Sequence, residues 1–226
     1  HLLMKQGDEH ILISTKVFQA QHGVTANYFF EPDKHFTVLG LDGNASNAVS
    51  IEFDPTIGHH VISADSNGTA IVLVTYDSII LGSSATSGNT ADSFFSALWP
   101  ENTGVFVITV GDDEPDFETG MKVNESYNER LNKLAGAYVD SELDVFYYLE
   151  HTGGFKYTFE PESGSTVSVL NPVIGERVIE EFVNGSAKDN GDGTFTVTLT
   201  EGRNIVSITN GGQTKYQVMT AKPVTY

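Results

Sequence analysis

Hydrophobic and polar residues alternate along most of this chain with the two-residue period of a β-strand. Clusters of Gly, Asn and Asp, such as Ser66–Gly68, Asn190–Gly193 and Asn210–Gly212, separate the alternating segments and are typical of tight turns. Strands that recur every ~8–12 residues between such turns predict an all-β chain built from β-sandwiches. The clearest predicted strands are Ile11–Val17, Phe36–Leu41, Thr69–Tyr76, Gly104–Val110, Leu143–Leu149, Thr194–Leu199 and Arg203–Ile208.

A helical period occurs in one segment, Asn124–Ala135. Its apolar residues Tyr127, Leu131 and Leu134 lie at positions i, i+4 and i+7, which share one face of a helix. The segment is a single short helix, a loop or an irregular strand. None of these alternatives changes the all-β prediction.

The length of 226 residues fits two small domains, at ~100–200 residues per domain. An acidic run with a proline, Asp112–Asp116, follows the strong strand Val105–Val110, and like charges keep such a run extended and solvated. We therefore predict two β-sandwich domains, residues 1–112 and 113–226. A Ser-, Thr- and Gly-rich segment, Gly82–Asp92, is predicted to be a long loop.

Specific motifs resemble a known family. The segments Gly193–Asn204 and Thr214–Val218 resemble the "T-L-x-E-G-x-N" corner and the "K-Y-x-V" last strand of bacterial cadherin-like and immunoglobulin-like domains. Ile62–Tyr76 is similar to the late strands of a second bacterial immunoglobulin-like type. Within the corner, Gly202 would relax a turn that Asn204 can cap. The resemblance implies two tandem immunoglobulin-like β-sandwich domains of a secreted or cell-surface adhesin, a fold with no family-wide catalytic residues.

Charge and composition restrict the partners. With 30 acidic and 12 basic side chains the net charge is −18, which disfavours nucleic acid and anionic membrane surfaces. No apolar run approaches 18 residues, so we expect no membrane insertion in this segment. The chain has no cysteine, which excludes disulfides, thiolate nucleophiles and cysteine-based zinc sites. Zero cysteine is compatible with a bacterial exported protein.

Motifs for catalysis are weak. His59 and His60 are adjacent in a predicted strand, so their side chains point to opposite faces and cannot chelate one ion. We expect one or two solvent-facing imidazoles. The sequence has no G-x-S-x-G serine motif and no Gly-rich phosphate loop before a helix. With so many acidic residues, a pair of carboxylates at glycosidase spacing arises by chance. We predict a non-enzymatic protein without a cofactor.

Two acidic segments raise the question of calcium. Asp189–Gly193 resembles a calcium loop, but it lacks the bidentate acid that should follow, and Asp-Gly is also a good hairpin turn. The acidic side chains of the Asp112–Asp116 run could instead hold an ion between domains, or could simply keep the chain soluble. We predict no metal site.

Aromatic residues are the best candidates for a binding surface. In Leu143–Leu149, alternation predicts one buried face, formed by Leu143, Val145, Tyr147 and Leu149. Phe146 and Tyr148 would then lie exposed on the other face, where aromatic rings stack on sugars or fill partner pockets. Alternatively, both faces of the strand are covered and both rings belong to the core.

Trp99, the single tryptophan, is the third candidate contact residue, with a core position as its alternative. The prediction from all these features is a bacterial interaction or adhesion module that binds a protein or glycan at a cell surface. A carbohydrate-binding accessory module is the alternative. The sequence does not define the oligomeric state.

Overall fold

The computed structural model describes residues 1–12, 34–57, 59–76, 103–121, 145–175 and 178–224. In these residues the backbone forms fifteen strands and one short 3-10 turn, Glu150–Thr152, which confirms the all-β prediction. The predicted helix Asn124–Ala135 and the predicted loop Gly82–Asp92 lie outside the described residues. The strands are β1 (Leu2–Met4), β2 (Glu9–Leu12), β3 (Lys34–Leu39), β4 (Val49–Asp54), β5 (His59–Ala64), β6 (Gly68–Tyr76), β7 (Thr103–Val110), β8 (Val145–Leu149), β9 (Phe155–Phe159), β10 (Thr166–Ile174), β11 (Ile179–Asn184), β12 (Ser186–Asp189), β13 (Phe195–Leu199), β14 (Gly202–Asn210) and β15 (Gln213–Val224).

The described residues form two compact units. The N-terminal unit contains the described residues between Leu2 and Asp112, and the C-terminal unit contains those from Asp113 onwards together with His1. Each unit has its own hydrophobic core.

In the N-terminal unit, the described strands form two sheets, β1-β7-β6-β3 and β2-β5-β4. β1 lies parallel to β7, and the remaining pairs are antiparallel. Alternating side chains from both sheets meet in one apolar interior, as expected for a sandwich. Its buried residues are Met4, Ala48, Val49, Ile62, Ala64, Ala70, Val72, Ile108 and Val110.

In the C-terminal unit, the larger sheet has the order β8-β15-β14-β10-β11 and the smaller sheet the order β9-β13-β12. β8 lies parallel to β15, and the other pairs are antiparallel. The interior is again lined by alternating side chains of both sheets and by one residue of the segment that precedes them. These buried residues are Phe117, Phe146, Phe159, Val169, Val197, Leu199, Val206, Ile208, Met219 and Ala221.

Both units follow one topological plan. The described strands are counted within each unit, with β11 left out of the count. The first strand then lies parallel beside the last, the sixth and third strands continue that sheet, and strands two, five and four form the opposing sheet. The C-terminal unit adds one strand, β11, beside its third strand. Two packed sheets with these Greek-key connections define the immunoglobulin-like sandwich. The chain is therefore all-β, with two tandem immunoglobulin-like β-sandwich domains, as the sequence predicted.

The acidic run between the predicted domains is only partly solvated. The carboxylates of Asp113, Glu114 and Asp116 are exposed, as expected, but Pro115 and Phe117 are buried. The Nζ of Lys215 donates a hydrogen bond to the carbonyl oxygen of Phe117 at 2.7 Å and lies 5.2 Å from the centre of its ring. The prediction of solvated acidic side chains is confirmed for these residues, whereas Phe117, directly after the run, packs into the core of the C-terminal unit.

The predicted corner at Gly202 and Asn204 is confirmed. Gly202 has a φ of +94°, a left-handed conformation that favours glycine. The Asn204 side chain is fully buried; its Oδ1 accepts the amide of Thr200 at 3.0 Å, and its Nδ2 donates to the Thr200 carbonyl at 2.9 Å. One side chain thus holds both ends of the turn between β13 and β14.

Candidate interaction surfaces

The predicted faces of β8 are exchanged in the structure. Phe146 is buried, with 9% of its surface exposed, and its ring centre lies 5.0 Å from that of Phe155 in the opposing sheet. The cause is the parallel pairing with β15, which places Phe146 beside Ala221 on the interior face. The prediction that Phe146 is exposed is therefore wrong.

The two tyrosines of β8 are also placed differently from the prediction. Tyr147, predicted to be buried, has 38% of its surface exposed, and partial burial raises the pKa of its hydroxyl. Tyr148 is half-buried and packs against the core. Its pKa is raised mainly by burial and, to a smaller extent, by the negative charge of Glu201. Phe146 and Tyr148 thus face the interior, and Tyr147 is the outward ring of this strand.

Trp99 lies outside the described residues. Contact of Trp99, Phe146 or Tyr148 with a partner stays a prediction. For Phe146, burial in the core means that a partner reaches its ring only if neighbouring side chains move.

His60 is buried rather than solvent-facing. It has 7% of its surface exposed and lies between two rings, with centres 4.7 Å away in Phe36 and 5.2 Å away in Phe53. Because side chains of a strand alternate between its two faces, His60 lies on the same face of β5 as the core residue Ile62, and Val61 lies on the other face. Of the one or two solvent-facing imidazoles that the sequence predicts, His60 is not one, because it lies on the interior face of its sheet against aromatic rings.

The Asp189–Gly193 segment forms the hairpin turn between β12 and β13. Oδ1 of Asp189 accepts the amide of Gly191 at 2.8 Å, and Oδ1 of Asp192 accepts the amide of Thr194 at 3.0 Å. The hydrogen bond from the Thr194 hydroxyl holds the pKa of Asp192 below its ordinary value. The carboxylates thus close the turn, and no group of three metal-ligating side chains occurs within the described residues.

An exposed apolar edge in the C-terminal unit was missed by the sequence analysis. Val173 of β10 has 37% of its surface exposed, Val183 of β11 has 45%, and Val178 in the turn between them has 50%. Glu180 and Glu181 on the same edge are exposed as well. The residues from Val178 to Val183 run apolar, apolar, acidic, acidic, apolar, apolar, which lacks the two-residue period that reveals a half-buried strand.

This edge follows from the unequal widths of the two sheets. The five described strands of the larger sheet face three in the smaller one, so β11 extends past the strands that cover its neighbours. Val169 on the same face of β10 is buried in the core, whereas Val173 further along the strand is exposed. The sequence pattern alone does not show how far β11 extends beyond the smaller sheet, because that depends on where the strands of the smaller sheet lie and end.

Comparisons with known proteins add little about function. No family model and no curated protein sequence matches the chain. Among solved structures, the chain is similar to a titin immunoglobulin tandem, A164-A165, at 10% identity over 99% of this chain and 92% of that one, with a TM-score of 0.27. It is also similar to the insect immune protein hemolin, at 10% identity over 99% of this chain and 48% of that one, with a TM-score of 0.24. A third similar structure, Drosophila OTK extracellular domains 3-5, has 9% identity over 85% of this chain and 52% of that one, with a TM-score of 0.23.

These likenesses are too low to bear on function, and the fold assignment depends on the strand order and sheet register of the chain itself. Within the described residues, no helix has the length and apolar character needed to span a membrane.

Proposed function

We propose that this chain is a non-enzymatic interaction or adhesion module of a bacterial protein, secreted or displayed at the cell surface, that binds a protein partner. The bacterial and surface assignments rest on the motif resemblance of the corner Gly193–Asn204 and the last strand. The fold supports the proposal because immunoglobulin-like sandwiches present sheet edges and loops on a packed scaffold.

The observation that carries the proposal is the exposed apolar edge formed by Val173, Val178 and Val183 of the C-terminal unit. Exposed apolar side chains grouped on one edge are typical of surfaces that bind another protein. The acidic chain has a net charge of −18, which favours partners with basic or neutral surfaces and excludes nucleic acid from the proposal.

Two carboxylates among the described residues have lowered pKa values. The pKa of Asp42 is lowered by hydrogen bonds from Asn44, and that of Asp192 by hydrogen bonds from Thr194. Both carboxylates lie in turns, where accepting local amides is their structural role. Contacts within the turns therefore lower the pKa values of both aspartates, and no second carboxylate contributes to either change.

A bead assay tests the proposal. Beads coated with the full chain should adhere to cells or to beads coated with a partner protein, or aggregate with them. Control beads coated with albumin should not bind these cells or beads. Ester, peptide and glycoside substrates should show no turnover. Turnover that is abolished by changing one carboxylate would contradict the proposal, as would adhesion no greater than that of albumin.

A carbohydrate-binding module is the alternative, and the exposed ring of Tyr147 favours it. A glycan array probed with the wild-type chain, Tyr147→Ala and Trp99→Ala separates the two functions. Loss of glycan binding in one of these variants, with an unchanged melting temperature, would favour the carbohydrate module. The absence of glycan binding together with adhesion favours the protein-binding module. Phe146→Ala is unsuited to this assay because its ring belongs to the core.

A further inference from the structure

The strand β11 ends the larger sheet of the C-terminal unit. Among the described strands it pairs with β10 alone, so its other edge faces away from the sheet. We propose that this edge binds an extended, basic segment of a partner protein, which adds to the sheet as a further strand. The proposal deepens the proposed function and rests on it, because it names the surface of the module that recognises its partner.

The backbone geometry identifies the groups that such a strand would meet. The amide of Gly185 donates to the carbonyl oxygen of Val169 at 2.8 Å, which makes these two residues a hydrogen-bonded pair. In an antiparallel ladder, bonded and non-bonded pairs alternate, so the backbone of Val183 is directed toward β10. The amide and carbonyl groups of Phe182 and Asn184 are then directed to the outer edge.

The usable edge is short. The register between β10 and β11 shifts near Ile174, where an additional residue of β11 interrupts the regular ladder. Regular pairing therefore extends over Glu181–Asn184, which predicts a short added strand and weak binding. Main-chain hydrogen bonds supply the affinity in this mode of recognition, and side chains supply the specificity.

Side chains along the edge define the chemistry of the partner. On one face Val183 and Glu181 are exposed, and on the other Asn184 is exposed beside the half-buried Phe182. Glu180 is exposed as well, as the additional residue at the register shift. A strand paired across this edge gains most when apolar residues lie opposite Val183 and Phe182 and a cationic residue lies opposite Glu181. A second cationic residue directly beyond it would lie near Glu180, past the end of the regular ladder.

The negative charge of the edge and of the whole chain favours binding of a segment from another protein over binding of a second copy of this chain. A second copy would bring the same two glutamates and a further charge of −18 to the edge. Charged residues on an edge strand oppose pairing between identical copies. A basic segment has the complementary charge, and the net charge of the chain would raise its rate of association.

A peptide titration of the full chain, followed by NMR, tests the proposal. The probe is an acetylated ten-residue peptide with the central sequence Thr-Val-Val-Lys-Lys, and the control peptide has Thr-Val-Val-Glu-Glu in its place. The lysine peptide should shift the amide signals of Phe182 and Asn184 and slow their hydrogen exchange, whereas the glutamate peptide should not. Failure to bind, or shifts confined to other acidic segments, would overturn the proposal.

Two variants test the role of the backbone amide. Asn184→Pro removes an amide directed away from β10, so the ladder is kept. It should weaken binding of the lysine peptide at least about fivefold, whereas Asn184→Ala, which keeps the amide, should leave it within about twofold. Equal affinities of the two variants, at equal thermal stability, would overturn the proposal.

The charge-reversal variant Glu180→Lys/Glu181→Lys should exchange the preference, so that the glutamate peptide binds more tightly than the lysine peptide. A change in self-association of this variant that occurs without peptide would instead identify a second copy as the occupant and overturn the proposal.

The bead assay separates this test from that of the proposed function. Adhesion that Asn184→Pro leaves unchanged overturns the edge site alone, whereas a lysine peptide that binds without any adhesion contradicts the proposed function alone.

Discussion

At the scale of single residues, two glycines with similar backbone conformations have different roles. Gly120 has a φ of +66° and Gly211 a φ of +57°, both in the left-handed region that other residues rarely adopt. A Cβ on Gly120 would clash with the carbonyl oxygen of Glu160, whereas a Cβ on Gly211 would meet no atom within 4 Å. The sequence marks both as turn residues, but only the structure shows that one of them is also a close backbone contact.

We expect Gly211→Ala to lower the free energy of unfolding by about 1–2 kcal/mol, the cost of the left-handed conformation. Gly120→Ala should lower it by clearly more, because the backbone near Glu160 must also move. Urea unfolding followed by tyrosine fluorescence measures both. Equal losses in the two variants would show that Gly120 does not contact Glu160.

The turn carboxylate Asp192 provides a pH prediction. Hydrogen bonds from Thr194 lower its pKa in the folded state below the ordinary value of 3.8. The stabilisation is therefore fully present above that value and is lost as the pH falls through the lower, folded pKa. A carboxyl-carbon NMR titration should give a value for Asp192 below 3.8, and Asp192→Ala should remove this part of the acid dependence of stability. A titration at or above 3.8 would contradict the assignment.

At the scale of elements, the corner could be predicted from sequence and the face of β8 could not. The corner is local, because Gly202 and Asn204 lie within the turn that they close. The face of β8 depends on its register with β15, more than 70 positions away in the chain. Alternation defines two faces of a strand, but only the pairing decides which of them is the interior.

Truncation of adjacent β8 residues measures which face is the interior. Phe146→Ala should cost about 3–5 kcal/mol because it empties a position in the core. Tyr147→Ala should cost within about 1 kcal/mol because its ring is partly exposed. Thermal or urea unfolding of the two variants gives the comparison. A larger loss for Tyr147→Ala would restore the face assignment made from sequence.

Removal of the corner side chain should also be costly. Asn204→Ala leaves the buried backbone groups around Thr200 and Met219 without the partner that now satisfies them. We expect a loss of about 2–4 kcal/mol in the free energy of unfolding. Asn190→Ala is the matched control, since its hydrogen bonds lie in an exposed hairpin and should contribute less. A loss for Asn204→Ala no greater than that of the control would contradict the role of the corner.

At the scale of the whole molecule, the fold class was predictable because strand periodicity and turn residues recur throughout the chain. The candidate binding edge was not predictable, because it arises where the larger sheet of the C-terminal unit extends past the smaller one. No single segment of sequence records the relative width of two sheets. The two glutamates and the exposed valine of β11 acquire meaning only once their neighbours are known.

Both units are immunoglobulin-like sandwiches in which the first strand pairs in parallel with the last. Nuclear Overhauser contacts between backbone protons in the full chain measure this pairing. Parallel contacts are expected between β1 and β7 around Leu3 and Thr109, and between β8 and β15 around Phe146 and Ala221. Antiparallel contacts at either pair, or the absence of contacts between the first and last strands, would contradict this pairing.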